Sequence, residues 1–538
     1  MDLLVLESID GDGVTKSSSS KLGVGTFTSH VSQENKRISR QFLSGSLSPT
    51  KSQADSPVQS TVGQASVTAL DDDKEVMYPF RITHLGHNGN SYVLYAPSNL
   101  DRDRWKEAII QAKREYSSAV YAMNAEPFRL RVLADAVFGY HPGSGAKLPV
   151  FARATALDRA LQASETAKDR ARRPVAASHI NCSTSFIFAD GIEYLLVGMD
   201  FGIYIKETQP GAHWRRCIEI SKVTQMVVIE NMNFLIVLAD KALVYYHLDV
   251  VISESLKKDS KTVIPGYKLS KSREVGYFTV GRMKDRVLVF YKQREGISSI
   301  FKVLEPIKEK GSQQRRSKVS FTRGIGVSST EYFREAERFY VPTESHGLSL
   351  FKSSFAIHTT KGFEVMSLDL KIGQSVPVMA SITGQVLHQA MRSTANSLRG
   401  YTVESFKKKI EASKPLGMFR VSEQQLMLCY EDMAMFCDNH GNMMGTTIIE
   451  LVCRAKTVAV QHPYLIAFDD ELVEVRRLDR GGQLKQVIAG KDIRAIDTKE
   501  GQIKIALAHP ELANRQLIVE LIGNEFVVED DNSSLADL

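Results

Sequence analysis

The chain has 538 residues, enough for two or three domains, and its hydrophobic share of 43% is ordinary for a folded, water-soluble protein. Its 68 basic and 62 acidic residues give a net charge of +6, an excess too small to indicate nucleic-acid binding by itself. No apolar run approaches the roughly 20 residues that span a bilayer, and the acidic start lacks the basic flank of a secretory signal.

A partial β-strand and helix domain is predicted for residues 1–8 and 73–123. Short apolar runs at residues 3–8, 78–86 and 91–96 predict its strands. Ser98 and Asp101 follow as a capping box, a pattern in which the two side chains bind free N–H groups of a first helical turn. Trp105 is the predicted structural residue of this helix, on a face that packs against the strands together with Ala108, Ile109, Ala112 and Tyr116.

Three segments outside this domain lack a clear fold of their own. Residues 9–72 are rich in Ser, Gly, Thr and Gln, and they predict a disordered insertion because little apolar surface offsets the entropy of ordering. Residues 124–177 contain an apolar run at 128–139 and a helix-like stretch with a basic end, and they are predicted to be a connector. Residues 531–538 are predicted to be an acidic tail.

The rest of the chain repeats one phrase, a short apolar run, a polar turn and a second alternating run. Such a phrase predicts an antiparallel hairpin. A hairpin cannot bury its apolar face alone, whereas four-stranded blades around an axis can. The repeats lie roughly 40 to 70 residues apart, a spacing typical of propeller blades with insertions. The fold class is therefore mainly β, with a seven-bladed β-propeller at 178–530, whose phrases start at Glu193, Asn233, Asp285, Ser354, Gln424, Pro463 and Gly501.

Two insertions interrupt the regular spacing, and both carry basic residues. One is the polar segment Lys308–Lys318, and the other lies at about 370–415. Propeller function usually resides in loops, because the strands are occupied with packing. Basic loops can attract an acidic protein surface or anionic lipid, although a solvated loop is the alternative. The candidate partner-binding residues are Arg315, Arg316, Lys318, Lys407, Lys408 and Lys409.

The sequence carries no motif for catalysis or for a cofactor. It has neither a phosphate-binding G-x-x-x-x-G-K-[ST] loop nor a G-x-S-x-G nucleophile elbow. His84 and His87 lie where a strand meets its turn, and Asp469–Glu471 are acids of a predicted hairpin turn, so neither set predicts a metal site. The five cysteines are predicted to be buried reduced thiols, which fits a cytoplasmic location. We predict no catalytic residue, metal, cofactor or nucleic-acid partner.

Three stretches of the propeller resemble the citron-homology (CNH) domain family: Leu195–Ile205, Ile220–Leu248 and Leu416–Gly441. In the first of them an apolar strand ends with Gly198 and Met199, and a D-x-G turn that contains Gly202 follows. Both glycines are predicted to be structural. With the strand and helix unit that precedes it, which resembles the end of a pleckstrin-homology (PH) domain, the chain is similar to the PH–CNH part of fungal Rho guanine-nucleotide exchange factors.

This resemblance implies a regulatory protein-interaction module for Rho signalling. Its partner would be a Rho-family small GTPase or an upstream signalling protein, with a further contact to membrane phosphoinositide at the cell cortex. The helical Dbl-homology domain that performs exchange in that family has no counterpart in this sequence, so the chain itself is predicted not to be an enzyme. The sequence would then start inside the PH domain. The alternative function is a CNH propeller scaffold in vesicle tethering and vacuolar trafficking.

Overall fold

The computed structural model describes residues 4–7, 14–16, 27–28, 76–86, 91–140, 154–164, 170, 172–209, 211–257, 263–270, 274–295, 298–307, 332–369, 373–392 and 400–527. The chain divides into two compact units. The smaller unit comprises residues 6–83 and 91–111, and the larger comprises residues 1–5, 84–90 and 112–538. The predicted tail at 531–538 lies outside the described residues.

The smaller unit is built on a β-sheet and the first half of a long helix. Within the segment predicted to be disordered, two short stretches form strands of this sheet. The longest pairing is antiparallel, and it sets Tyr78 opposite Ala96. The elements are β1 (Leu4–Glu7), β2 (Val14–Lys16), β3 (Phe27–Thr28), β4 (Val76–His84), β5 (Ser91–Ala96) and α1 (Asn99–Ala122).

Helix α1 begins as predicted but buries a different face. The Asp101 N–H donates to Ser98 Oγ over 3.0 Å, which caps the first turn. Trp105, predicted to be a core residue, is instead 59% exposed. The residues that α1 buries are Lys113 and Ser117, and both are held by hydrogen bonds. Lys113 Nζ donates to the Leu4 carbonyl over 2.8 Å, and Arg159 donates to the Ser117 carbonyl over 3.0 Å, both within the larger unit.

Replacing Trp105 by alanine is therefore expected to have little effect on stability. Truncation of an exposed side chain changes the free energy of unfolding by less than about 0.5 kcal/mol. Phe80, which is buried in the same unit, provides the contrast, because Phe80→Ala removes a core ring at a cost of about 3–5 kcal/mol. Thermal unfolding of both variants measures the difference. An equal fall in melting temperature would contradict the exposed position of Trp105.

The larger unit contains seven sheets, which we call blades 1 to 7, and their strand pairings are antiparallel except for one short parallel pair at the edge of blade 7. Three elements precede blade 1: β6 (Phe128–Gly139), α2 (Ala156–Gln162) and β7 (Ala176–Ala177). Blade 1 contains β8 (Ile180–Ile187), β9 (Glu193–Met199), β10 (Phe201–Glu207) and β11 (Arg215–Ser221). Blade 2 contains β12 (Val223–Ile229), β13 (Phe234–Ala239), β14 (Ala242–His247) and β15 (Tyr267–Lys268). Blade 3 contains β16 (Val275–Met283), β17 (Arg286–Glu295), β18 (Ser298–Pro306) and β19 (Phe333–Val341).

Blades 4 to 7 follow the same order of strands. Blade 4 contains β20 (Ser345–Leu350), β21 (Ser354–Thr359), β22 (Gly362–Ser367) and β23 (Gln374–Val376), and blade 5 contains β24 (Pro415–Arg420), β25 (Leu426–Tyr430), β26 (Met433–Cys437) and β27 (Ile449–Glu450). Blade 6 contains β28 (Thr457–Gln461), β29 (Tyr464–Phe468), β30 (Leu472–Arg477) and β31 (Gln483–Ala489). The first three strands of blade 7 are β32 (Arg494–Asp497), β33 (Lys504–Ala508) and β34 (Arg515–Gly523). Three helices lie in connections: α3 (Leu248–Leu256), α4 (Gly384–Arg392) and α5 (Val403–Ala412).

The seven predicted hairpins are confirmed as the second and third strands of the seven blades. The hairpin of blade 2 shows why the pattern is so clear. Every residue of β13 is buried, because neighbouring blades cover both of its faces. Its turn residues Asp240 and Lys241 have φ angles of 44° and 59°, the left-handed pair that a tight two-residue turn requires.

Seven apolar clusters join the blades into a closed ring. Each cluster contains buried residues from two neighbouring blades. The first cluster joins blades 1 and 2, the next joins blades 2 and 3, and the last joins blade 7 to blade 1. In the closing cluster, Phe138 of β6 packs edge-on against Trp214 of blade 1, with ring centroids 5.0 Å apart. A ring of this kind leaves no blade with an unburied apolar face. The predicted seven-bladed propeller is thus confirmed.

The run predicted to be part of a connector supplies the fourth strand of blade 7. Strand β6 pairs antiparallel with β34 from Phe128 opposite Gly523 to Gly139 opposite Arg515. The propeller therefore starts about 50 residues before position 178, where the sequence alone placed its boundary. The start of β6 is also tied to blade 6, because the side-chain amide of Gln486 both accepts from the Phe128 N–H and donates to its carbonyl.

A buried polar cluster fixes the other end of β6. Asp135 and His509 are both fully buried, and His509 Nε2 lies 2.8 Å from Asp135 Oδ1. Backbone N–H groups of Glu511 and Leu512 donate to His509 Nδ1, so the ring proton lies on Nε2 and is donated to the carboxylate. Arg170 Nε donates to the second carboxylate oxygen over 2.8 Å. Both oxygens of the Asp135 carboxylate thus accept hydrogen bonds, one from His509 of blade 7 and one from Arg170.

Strand direction gives the ring two distinct faces. Because strands alternate in direction, the turns between second and third strands share one face with the connections from blade to blade. We call this the upper face. The lower face carries the turns between first and second strands and those between third and fourth strands. Helix α5, between blades 4 and 5, belongs to the upper face, whereas α3 lies in a connection of the lower face.

Candidate partner-binding surface

Helix α5 carries three of the predicted partner-binding residues, and its own sequence explains why it is rigid. Thr402 caps the first turn, since its hydroxyl accepts from the Ser405 N–H and Ser405 Oγ accepts from the Thr402 N–H. Phe406 and Ile410, four residues apart, are buried in the cluster shared by blades 4 and 5. The helix is therefore an anchored element of the upper face.

Lys409 is a structural residue of this helix. Its Nζ forms an ion pair with Asp432 in the turn between β25 and β26, and it lies 5.9 Å from the centre of the Tyr401 ring. Burial lowers the pKa of Lys409, but the hydrogen bond and charge of Asp432 outweigh burial and hold the pKa above its usual value. Lys409 therefore stays charged while it holds α5 on blade 5, and its charge is already matched.

Lys407 and Lys408 are placed differently. Lys408 is exposed and Lys407 is partly exposed. Lys414, which follows the helix, is exposed on the same connection. The basic run thus presents two of its three cations to solvent, and both lie on the upper face.

The other predicted residues, Arg315, Arg316 and Lys318, lie outside the described residues and stay a prediction. The described residues on either side of their segment are Ile307 and Tyr332, and the Ile307 N–H donates to the Tyr332 carbonyl over 2.8 Å. These ends lie between the third and fourth strands of blade 3, which places them on the lower face. The two basic segments therefore start from opposite faces of the propeller.

Several other charges of the upper face are matched by neighbours. Lys222 Nζ lies 3.5 Å from an Asp240 carboxylate oxygen, and Arg454 lies 2.9 Å from Glu431. Lys456 pairs with Asp470, one of the turn acids of blade 6. Exposed pairs of this kind contribute little stability but reduce the net field of the surface.

Gly198 and Gly202 occupy positions that demand glycine. A Cβ at Gly198 would lie 2.6 Å from Val223 Cγ1 and 2.7 Å from Cys182 Sγ, because blades 1 and 2 approach closely there. Gly202 has a φ angle of 131°, which side chains rarely adopt. Their roles in the structure are those of close packing and turn formation.

The described residues contain no group of three or more His, Cys, Asp or Glu side chains that could hold a metal ion. Asp469 accepts a hydrogen bond from the Asp470 backbone N–H over 2.8 Å, an ordinary turn contact. All five cysteines are free, and burial raises the pKa of each thiol, so they remain protonated. No helix in the described ranges is long and apolar enough to cross a membrane.

Sequence comparison places this fold among known proteins. The profile of the CNH domain matches residues 191–499. The solved AfRom2 CNH domain has 23% sequence identity and a TM-score of 0.50, covering 64% of this chain and 95% of that one. This likeness confirms the fold.

Three curated relatives are exchange factors from yeasts. Rho1 guanine nucleotide exchange factor 3 of Schizosaccharomyces pombe is 28% identical over 98% of this chain and 42% of its own length. Rho1 guanine nucleotide exchange factor 1 of the same yeast is 24% identical over 79% of this chain and 27% of its own length. Rho1 guanine nucleotide exchange factor TUS1 of Saccharomyces cerevisiae is 23% identical over 82% of this chain and 35% of its own length.

The chain spans less than half the length of each of these relatives. The matched profile covers more than half of the chain, and it runs from β9 in blade 1 to the turn after β32 in blade 7. The chain belongs to the CNH domain family.

Proposed function

We propose that this chain is the regulatory, partner-binding part of a Rho-type guanine-nucleotide exchange factor. The observation that carries the proposal is the match of 98% of the chain to Rho1 guanine nucleotide exchange factor 3, since it includes the smaller unit as well as the propeller. The partner would be a Rho-family GTPase or an upstream signalling protein, and a phosphoinositide headgroup offers the same negative charge.

The upper face is the proposed contact surface, with Lys407 and Lys408 as its cations. Both project from a helix that Thr402, Phe406 and the Lys409–Asp432 pair hold in place. Cations on a rigid element lose little entropy when they meet an acidic surface. Exposed charges of this kind act mainly on the rate of association and on its dependence on salt.

Reversing these two charges is expected to weaken partner binding. The variant Lys407→Glu/Lys408→Glu should bind about tenfold more weakly at about 0.05 M salt and nearly normally at about 0.5 M, because salt screens exposed charges. Pull-down with Rho-family GTPases and flotation with phosphoinositide liposomes distinguish the two kinds of partner.

The matched control is Lys352→Glu/Lys499→Glu, which reverses two exposed lysines in turns of the lower face. A third variant, Arg315→Glu/Arg316→Glu/Lys318→Glu, tests the segment that starts from the lower face. Because the segments start from opposite faces, loss of binding in one variant alone identifies the face in use. Normal binding by both the α5 variant and the Arg315 variant would refute the proposed contact.

A further inference from the structure

A groove on the lower face lies between the last blade and the first. One wall is the lower half of β6, and another is the turn between β10 and β11 of blade 1. The end of α2 forms the third wall. It encloses about 900 Å³, and its apolar lining consists of Leu130, Val132, Leu133, Leu195, Ala160, Ala163 and Ala212.

The charged residues of this groove are mostly basic. Arg131, Arg172 and Lys206 line it together with His213, against a single carboxylate, that of Glu207. That carboxylate accepts from Arg215 over 3.0 Å, so it is matched from within blade 1. Arg131 pairs with Glu520, yet half of its side chain remains exposed. Apolar walls with excess positive charge fit an extended acidic peptide.

An acidic segment of this chain follows β34, the strand that pairs with β6. Strand β34 ends at Gly523, and the Asn524 N–H donates to the Pro127 carbonyl over 2.8 Å, at the start of β6. Residues 528–538 lie beyond the described residues and carry four acids and no base. At about 3.3 Å per residue, an extended segment needs only about six residues to run alongside the groove half of β6. Glu529, Asp530 and Asp531 come first along this path.

We propose that residues 529–531 bind in this groove on the same chain. The acids meet Arg131, Arg172 and Lys206, and the segment covers the apolar wall of β6. Attachment at Asn524 gives the segment an effective concentration of roughly millimolar, so an external acidic peptide must compete with it. The groove would then be a docking site that the chain itself occupies, and this proposal does not depend on the upper-face contact.

Cross-linking between introduced cysteines tests the contact in the full chain. Gln209 is exposed on the rim of the groove, and Ser533 follows the three acids, so Gln209→Cys/Ser533→Cys places one thiol on each. The control pair is Lys361→Cys/Ser533→Cys, because Lys361 is exposed on the upper face of blade 4. The unmodified chain reports the background from its five natural thiols. We expect a short bismaleimide to link the first pair within one chain about tenfold more than the control pair at low salt.

Charge reversal supplies the decisive comparison. Glu529→Lys/Asp530→Lys/Asp531→Lys and Arg172→Glu/Lys206→Glu should each abolish the excess cross-link, and their combination should restore it. A synthetic peptide of residues 525–538 should reduce the yield of the cross-link. The same peptide with every Asp replaced by Asn and every Glu by Gln should leave the yield unchanged. Equal yields for both cysteine pairs, or no response to reversal, would overturn the proposal. A product that joins two chains would also overturn it and assign the groove to a second copy.

Discussion

A chain that begins at residue 178 is expected to fail to form the propeller, whereas a chain that begins at residue 124 is expected to fold. The shorter chain lacks β6, so blade 7 loses its fourth strand and the backbone partners of β34. It also loses Phe128 and Phe138, both fully buried, from the clusters that join blade 7 to its neighbours. Each lost ring is worth about 3–5 kcal/mol, and together they approach the whole stability of a typical domain.

Circular dichroism and gel filtration of the two chains measure this effect. The chain from residue 124 should unfold in one cooperative transition and elute as a compact species. The chain from residue 178 should lack the transition or aggregate through the open edge of β34. A cooperative transition at the same temperature in both chains would show that β6 is dispensable for closure.

Replacing Asp135 by alanine is expected to destabilise the full chain by about 3–5 kcal/mol, because it leaves buried donors without an acceptor. His509 Nε2 and Arg170 both donate to this carboxylate, and His509 is fully buried. The control is Asp369→Ala in an exposed turn, which should change stability by less than about 0.5 kcal/mol. Urea unfolding gives both values, and similar midpoints for the two variants would contradict the role assigned to Asp135.

The pKa of the Asp135 carboxyl group predicts how the stability of the closed propeller depends on pH. Burial raises the pKa of Asp135, but hydrogen bonds from His509 and Arg170, together with the charge of Arg170, outweigh burial and leave the pKa below its usual value. A carboxyl group with a lowered pKa stabilises the fold above the unfolded-state pKa near 4, and that contribution is lost as pH falls through the lower, folded value. Stability measured below pH 4 should therefore fall more steeply in the wild type than in Asp135→Asn. Parallel curves would refute this assignment.

The central hairpins could be predicted because their signal is local. A strand such as β13 is covered on both faces, so it reads as an unbroken apolar run next to a turn that demands special backbone angles. The outer strands are short and partly exposed, and β15 has only two residues, which leaves no period to detect. The repeat therefore identified the blades but not their edges.

Ring closure could not be predicted, because its partners are distant in sequence. The run at 128–139 is visibly apolar, but pairing with β34 joins positions nearly 400 residues apart. No local pattern shows which strand a run will meet. The contact between Asp135 and His509 was missed for the same reason.

Which lysines of the candidate surface are exposed could be predicted only in part. The run Lys407–Lys409 marks a basic helix, but the count of charges does not reveal which side chain faces inward. The spacing of Phe406 and Ile410 could have done so, because Lys409 borders that buried face at helical periodicity. The error at Trp105 is of the opposite kind, since α1 buries polar residues that find hydrogen-bond partners far along the chain. Apolar periodicity alone does not report such contacts.

The pairing of β6 with β34 also decides how the propeller would bear mechanical load. Both ends of the ring leave from the same end of one ladder, where Phe128 lies opposite Gly523. Tension between the two ends would separate β6 from β34, starting at that end and breaking one pair of hydrogen bonds at a time. The other six blades would carry no force. Asp135, opposite Leu517, lies near the far end, so its buried hydrogen bond with His509 would be among the last contacts to part.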